Sequence, residues 1–209
     1  MAERRYGVPA PATETEIRHQ DWYGKDLSGQ RHTRVAFIDV DMTEVSNKSA
    51  VFNECTFRTC SFNASKHNES AFLNCTFTRC TFFNASFKGC KLVGSMFDRC
   101  TLDLVSCERG DWSLVGLPGA DLRRASFNGV RMREVDLTGA RCEGTKFRHV
   151  DLSGSWLDKA NLSRADLRGS DLSALDPTTV ELKGAIVDLD QAIVIATALG
   201  LDVRSDDGD

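Results

Sequence analysis

The chain has 209 residues, with 26 basic against 30 acidic ones for a formal net charge of −4. That length allows one ordinary domain with a sizeable core, and that charge gives no support to direct electrostatic binding of nucleic acid. No window reaches the roughly 18 consecutive apolar residues of a membrane span, and the opening MAERRYGVPAPATETE lacks an apolar signal core, so a cytoplasmic protein without membrane contact is expected. The acidity is uneven: residues 1–100 carry 13 basic and 11 acidic residues, 101–180 carry 11 and 12, and 181–209 carry 2 and 7.

Residues 1–20 show no periodicity and read as a loose N-terminal arm. From Trp22 onward a large residue recurs every fifth position, through Phe37, Phe57, Phe77 and Phe97 to Leu152, Leu167 and Leu182, and every phenylalanine except Phe83 falls on this central register. Two residues before each centre lies a second register of small residues, such as Val40, Cys60, Ala85, Ser95, Ala125 and Ala165. A large and a small apolar position, two apart and repeated every five, fit neither the 3.6-residue helix nor the two-residue strand. They fit a closed coil that turns a corner every five residues over 21–187. Glycine agrees, since Gly24, Gly89, Gly129 and Gly169 among others stand two after a centre, where a corner favours a residue without Cβ.

The eight cysteines follow these registers, which favours packing as small hydrophobes over disulfides or a metal site. Pro118 is a candidate for a bend near the middle of the stack. The central residues beyond 137 are mainly leucine, which predicts a thinner core there. Pro177 replaces a central leucine, and proline cannot donate a ladder hydrogen bond, so the coil ends soon after it. Asp188 stands three before Gln191, the spacing of a capping box, and a helix over 189–199 would stop at Gly200. Within the final segment, 188–209, this helix carries more apolar surface than one stripe needs. The excess covers either the last coil alone or a second copy of the chain, two-fold pairing being the commonest way to bury such a face.

Little in the sequence suggests catalysis. His67 and His32 lie on the central register, where a core or cap role is the better reading for each. No HExxH, phosphate loop or nucleophile elbow is present, so neither enzymatic activity nor a metal or cofactor is expected. The carboxylates are more regular. Asp111, Asp121, Asp136, Asp151, Asp166, Asp171, Asp176 and Glu181 each precede a centre and face outward. They serve either as solubilising corner formers bonded to the backbone or together as rows of negative charge. Arg123, Arg131, Arg141 and Arg148 interrupt those rows.

The blocks ADLRRASFNG, VDLTGA, ADLRGSDLSA and FNECTFRTCSF resemble the A(D/N)LXX signature of the pentapeptide repeat family. The tail VDLDQAIVIATALGLDV and the uninterrupted repeat resemble its quinolone-resistance members, the mycobacterial type and the Qnr proteins. The resemblance implies an all-β solenoid, a right-handed quadrilateral β-helix of 20-residue coils with a C-terminal capping helix. About eight coils would span residues 22–187. Phe37, Phe57, Phe77 and Phe97 would then form one internal ladder, with Phe52/Phe72, Phe62/Phe82 and Phe127/Phe147 forming others, and Cys60, Cys80 and Cys100 would stack. It further implies a homodimeric DNA mimic that binds DNA gyrase, inhibits it and protects it from fluoroquinolones. Asp136, Asp151, Asp166, Asp171, Asp176 and Glu181 are the expected gyrase-binding surface, with Leu189, Ile193, Ala196 and Leu199 as the dimer contact. Self-immunity against a gyrase-targeting natural product, or a non-enzymatic scaffold for an unrelated protein, are the alternatives.

Overall fold

The two inward registers are buried as the period requires. In the computed structural model, which describes residues 11–204, Phe37, Phe57, Phe77, Leu137 and Leu167 on the large register are enclosed, as are Val45, Cys55, Ala85 and Ala140 on the small one. The chain therefore winds as a parallel β-solenoid with four walls. One wall stacks Thr15–Arg18, Val35–Ile38, Thr56–Arg58, Thr76–Thr78 and Met96–Asp98. A second runs from Ser46–Lys48 to Lys146–Arg148, and a third stacks Arg31–Thr33, Val51–Asn53 and Ala71–Leu73. The fourth is a column of single bridges, Asp21 to Asp41 to Ser61 to Thr81 to Thr101.

Register partners are twenty residues apart, as in Phe37 beside Phe57 and Phe127 beside Phe147. The expected aromatic ladders follow. Phe37, Phe57, Phe77 and Phe97 stack with centroids 4.8 Å apart at each step, the spacing of parallel strands. Phe52 over Phe72 and Phe62 over Phe82 repeat it at 4.8 Å.

Small polar residues fit the inner corner because each finds a carbonyl. Ser95 Oγ donates to Phe72 O at 2.8 Å, Ser170 Oγ to Phe147 O at 3.0 Å and Thr145 Oγ1 to Leu122 O at 2.7 Å. Thiols make the weaker version of the same contact, Cys80 Sγ to Phe57 O at 3.4 Å. All eight cysteines are free thiols. The residue two after most centres takes a left-handed φ whether or not it is glycine, as at Arg34 (54°), Leu104 (59°) and Gly129 (63°). Glycine is thus preferred at the corner but not required by it.

Three features depart from the sequence reading. The arm is shorter than 1–20, because Thr15–Arg18 pairs with Val35–Ile38 and Asp21 with Asp41; residues 1–10 lie outside the described residues. The ladder is interrupted twice. On the fourth wall the bridges stop at Thr101 and resume between Asp121 and Arg141, just after Pro118. On the first wall they stop at Trp156, and beside Pro177 the Lys159 N–H bonds Thr179 O, a rung offset of 20 where the intact corner beside it, Arg164 N–H to Lys183 O, uses 19.

The helix spans Leu189–Ala198 and carries the expected capping box of Asp188 and Gln191. No helix among the described residues is long and apolar enough to cross a membrane.

Candidate functional site

A carboxylate placed one residue before a centre is first of all a corner device. Its Oδ1 accepts the N–H two residues on, from Asp21 to Tyr23 N at 2.9 Å, Asp111 to Ser113 N at 3.0 Å, Asp171 to Ser173 N at 2.8 Å and Asp176 to Thr178 N at 2.9 Å. Such side chain to backbone bonds fix the turn, which explains why aspartate recurs there irrespective of any partner.

What distinguishes the acids is the second oxygen. Asp166 is held by Arg168 at 2.8 Å and Arg148 at 3.1 Å and is 17% exposed. The hydrogen bond from Arg168 first, then Arg148, holds its carboxyl well below the usual range. Burial would raise Asp151, but the Ser153 hydroxyl and Arg133, 2.6 Å away, outweigh it and lower it. Asp121 is gripped by Arg123 and approached by Arg141 at 3.5 Å. Asp136 is buried, at 3% exposed, in the column between Gly116 and Trp156. Of the six acids expected to meet gyrase, Asp136 is therefore withdrawn from the surface, and Asp151 and Asp166 present ion pairs.

Asp171, Asp176 and Glu181 remain. All three are exposed, and none forms an ion pair among the described residues. Thr178 lowers the Asp176 carboxyl through its hydroxyl and its N–H. Carboxylates without an ion pair thus gather at the C-terminal end of the coil, with Asp171 within the field of Arg133, and continue into Asp190 on the exposed side of the helix.

The same end exposes apolar surface. Leu189 is 77% exposed, Leu199 54% and Ile193 42%, with Ile186, Val194, Leu201 and Val203 also open. Of the expected dimer residues, Ala196 is half-buried and the other three face outward. The inward residue of the helix is polar. The Gln191 amide donates to Leu167 O at 2.6 Å and Ser170 O at 2.7 Å, while Asp188 Oδ2 accepts Gly169 N–H at 2.8 Å. Together they cover the open edge of the last coil, with Ile195 packed on the core beside them. The Asp188/Gln191 spacing announced a cap; that Gln191 also closes the coil edge had no sequence signal.

His67 is not available as a base. It is buried, and burial pushes it down to about 3. Its Nδ1 meets Asn47 Nδ2 at 2.8 Å and its Nε2 meets Ser65 Oγ at 2.9 Å. Ser65 gives its proton to Phe62 O at 2.7 Å, so the neutral ring donates from Nε2 and accepts at Nδ1. His32 stacks on Phe52 at 5.2 Å. Among the described residues no group of three or more His, Cys, Asp or Glu could hold a metal ion.

Two family models match the chain. That of the pentapeptide repeats matches 117–154 and 147–176, and that of the SV2A/B/C luminal domain matches 14–102. No curated protein matches. Among solved structures, a trypsin-treated variant of QnrB1, a plasmid-mediated fluoroquinolone resistance protein, is 20% identical, with 92% of this chain and 97% of that one covered at a TM-score of 0.49. HetL, a pentapeptide repeat protein involved in heterocyst differentiation regulation from the cyanobacterium Nostoc, is also 20% identical, over 86% and 87%, at 0.41. A pentapeptide repeat protein from the Arabidopsis thaliana thylakoid lumen is 22% identical over 79% of each chain, at 0.20.

Proposed function

We propose, from the premise that this chain is a pentapeptide-repeat protein, that it is a non-enzymatic DNA mimic: a rod that pairs through its C-terminal helix and occupies the DNA-binding groove of DNA gyrase. The observation that carries this reading is the coincidence, at one end of the rod, of unpaired carboxylates at Asp171, Asp176 and Glu181 with the exposed apolar residues Leu189, Ile193 and Leu199. Two-fold pairing through that apolar face would bring two acidic ends together. The doubled acidic centre would carry fixed negative charge into a groove built for phosphates and exclude DNA by occupancy, with no covalent step. Protection from a fluoroquinolone, or from a natural gyrase poison in a producing organism, would follow from the displaced DNA.

Competition checks this. Labelled duplex bound to gyrase should be released by the wild-type chain, and a Leu189→Glu/Ile193→Glu variant, monomeric by light scattering, should release at least about tenfold less at equal concentration. Undiminished binding of duplex with intact dimer present would overturn the proposal. A second reading, a scaffold for an unrelated protein, is favoured by the arginines on Asp121, Asp151 and Asp166. Along the middle of the rod they leave little bare negative charge.

A further inference from the structure

The gap in the fourth wall lies directly over a cysteine. Four ladder bonds that the repeat would place between 99–104 and 118–123, beginning with Arg99 N–H to Pro118 O and including Leu102 N–H to Asp121 O, are absent among the described residues. Bonds on either side are intact, Phe97 N–H to Gly116 O at 3.0 Å and Ser126 N–H to Val105 O at 2.9 Å. Between the separated lips lies an open cleft of about 490 Å³, bounded by Cys100 to Asp103 on one side and Asp121, Arg123 and Arg124 on the other. The indole of Trp112, two walls away from Leu102 in the same coil, fills the core at this level, stacked on Phe97 at 6.2 Å and edge-on to Phe127 at 5.8 Å. Seven of the eight thiols are buried, and Cys100, at the foot of the cleft, is the exception. One rung below, Cys80 stands on the same small-residue register, its Sγ donating to Phe57 O at 3.4 Å as Cys100 Sγ donates to Phe77 O at 3.4 Å.

The geometry points to Cys100 as a peroxide-reactive modification site, with Cys80 as its resolving thiol. The Cys100 sulfur attacks one oxygen of hydrogen peroxide, the O–O bond breaks, water leaves, and Cys100 becomes a sulfenic acid. Cys80 sulfur then attacks the Cys100 sulfur, the S–O bond breaks, the Cys80 proton leaves with the hydroxide as water, and a disulfide forms. Sulfur is oxidised in the first step at the expense of the peroxide, and the second only condenses. Neighbouring rungs stand about 4.8 Å apart, inside the roughly 4.4–6.8 Å range of Cα separations that a disulfide spans. Side chains that run parallel must rotate to join, and a strained bond of this kind is readily reduced, which suits reversible oxidation. Buried thiols without such an opening, Cys55 and Cys142 among them, have no route to the oxidant.

The test uses the full chain in its native state. Limiting iodoacetamide followed by peptide mapping should label Cys100 at least about tenfold faster than any other cysteine. Hydrogen peroxide should yield a Cys80–Cys100 linked peptide that a thiol reductant dissolves. Serine occupies the same register at Ser95 and Ser170 with its hydroxyl bonded to a carbonyl, so Cys100→Ser should fold and lose both signals. Cys80→Ser should stop at a sulfenic acid trapped by dimedone, and Cys60→Ser should still form the Cys80–Cys100 bond. Labelling led by another cysteine, uniform protection of all eight thiols, or a peroxide product that excludes Cys100 would overturn the proposal.

Discussion

At the scale of single residues, the interior of the coil is set by what a five-residue corner can enclose. His67 shows the cost of a titratable group there. Its pKa falls to about 3 through burial, below the ordinary value near 6.5, so the unfolded chain binds the proton first. Stability is complete above about pH 6.5 and declines by up to about 1.4 kcal/mol per pH unit as pH falls towards 3. Lowered carboxylates such as Asp151 and Asp166 act in a separate window, their contribution being lost only below about pH 4. Urea unfolding at pH 7 and pH 5 should therefore differ by about 2 kcal/mol, and His67→Phe should remove most of that difference, leaving the smaller share of half-buried His32. An unchanged pH slope in the variant would contradict the assignment. Glycine offers a second residue-level test. A Cβ at Gly110, φ 93°, would lie 2.2 Å from Cys90 O, whereas one at Gly24 meets nothing within 4 Å. Gly110→Ala should cost about 3 kcal/mol, from overpacking against backbone together with the left-handed φ. Gly24→Ala should cost about 1 kcal/mol, from φ alone. The inward registers, the aromatic stacks and the burial of most cysteines were legible because each depends on one position repeated every five residues. The burial of Asp136 was not, because it depends on Gly116 and Trp156 twenty residues to either side, a relation visible only once the coil is closed.

At the scale of elements, the wall is most informative where it fails. Pro118 was readable as an irregularity, but its effect, one wall opened while the other three stay paired, depends on neighbours supplied by separate coils. The N-terminal arm was misjudged beyond residue 14 for a related reason: Thr15–Arg18 lacks the repeat yet finds the exposed edge of Val35–Ile38 and pairs with it. An unpaired edge recruits whatever strand is tethered beside it. At the opposite end the edge is closed by Gln191, whose amide serves Leu167 O and Ser170 O while its Oε1 accepts Asp188 N–H at 2.9 Å. Gln191→Ala leaves those groups unsatisfied, a loss of about 1–3 kcal/mol. The expected result is faster hydrogen exchange over Leu189–Ala198 and Leu167–Ser170, with exchange at Phe57 and Phe77 unchanged. Acceleration spread over the whole rod would show instead that the cap and coil unfold as one unit.

At the scale of the whole molecule, charge and apolar surface divide the rod. Its middle carries aspartates at 111, 121, 151 and 166 already answered by arginine, its C-terminal end carries acids without an ion pair among the described residues, and the same end exposes the apolar helix. The sequence displays both charge types but not their pairing, since Arg133 reaches Asp151 and Arg148 reaches Asp166 from eighteen residues away. This division narrows the expected gyrase surface to Asp171, Asp176 and Glu181. The most direct measurement is inhibition of gyrase supercoiling by three forms of the chain: wild type, Asp171→Asn/Asp176→Asn/Glu181→Gln, and Asp151→Asn/Asp166→Asn. Asparagine keeps the Oδ1 corner bond and removes the charge. The wild type should inhibit, the terminal triple variant should need at least about tenfold more protein for the same effect, and the paired-acid variant should change it by less than about threefold. Equal inhibition by all three forms, or loss confined to the Asp151/Asp166 variant, would contradict the account.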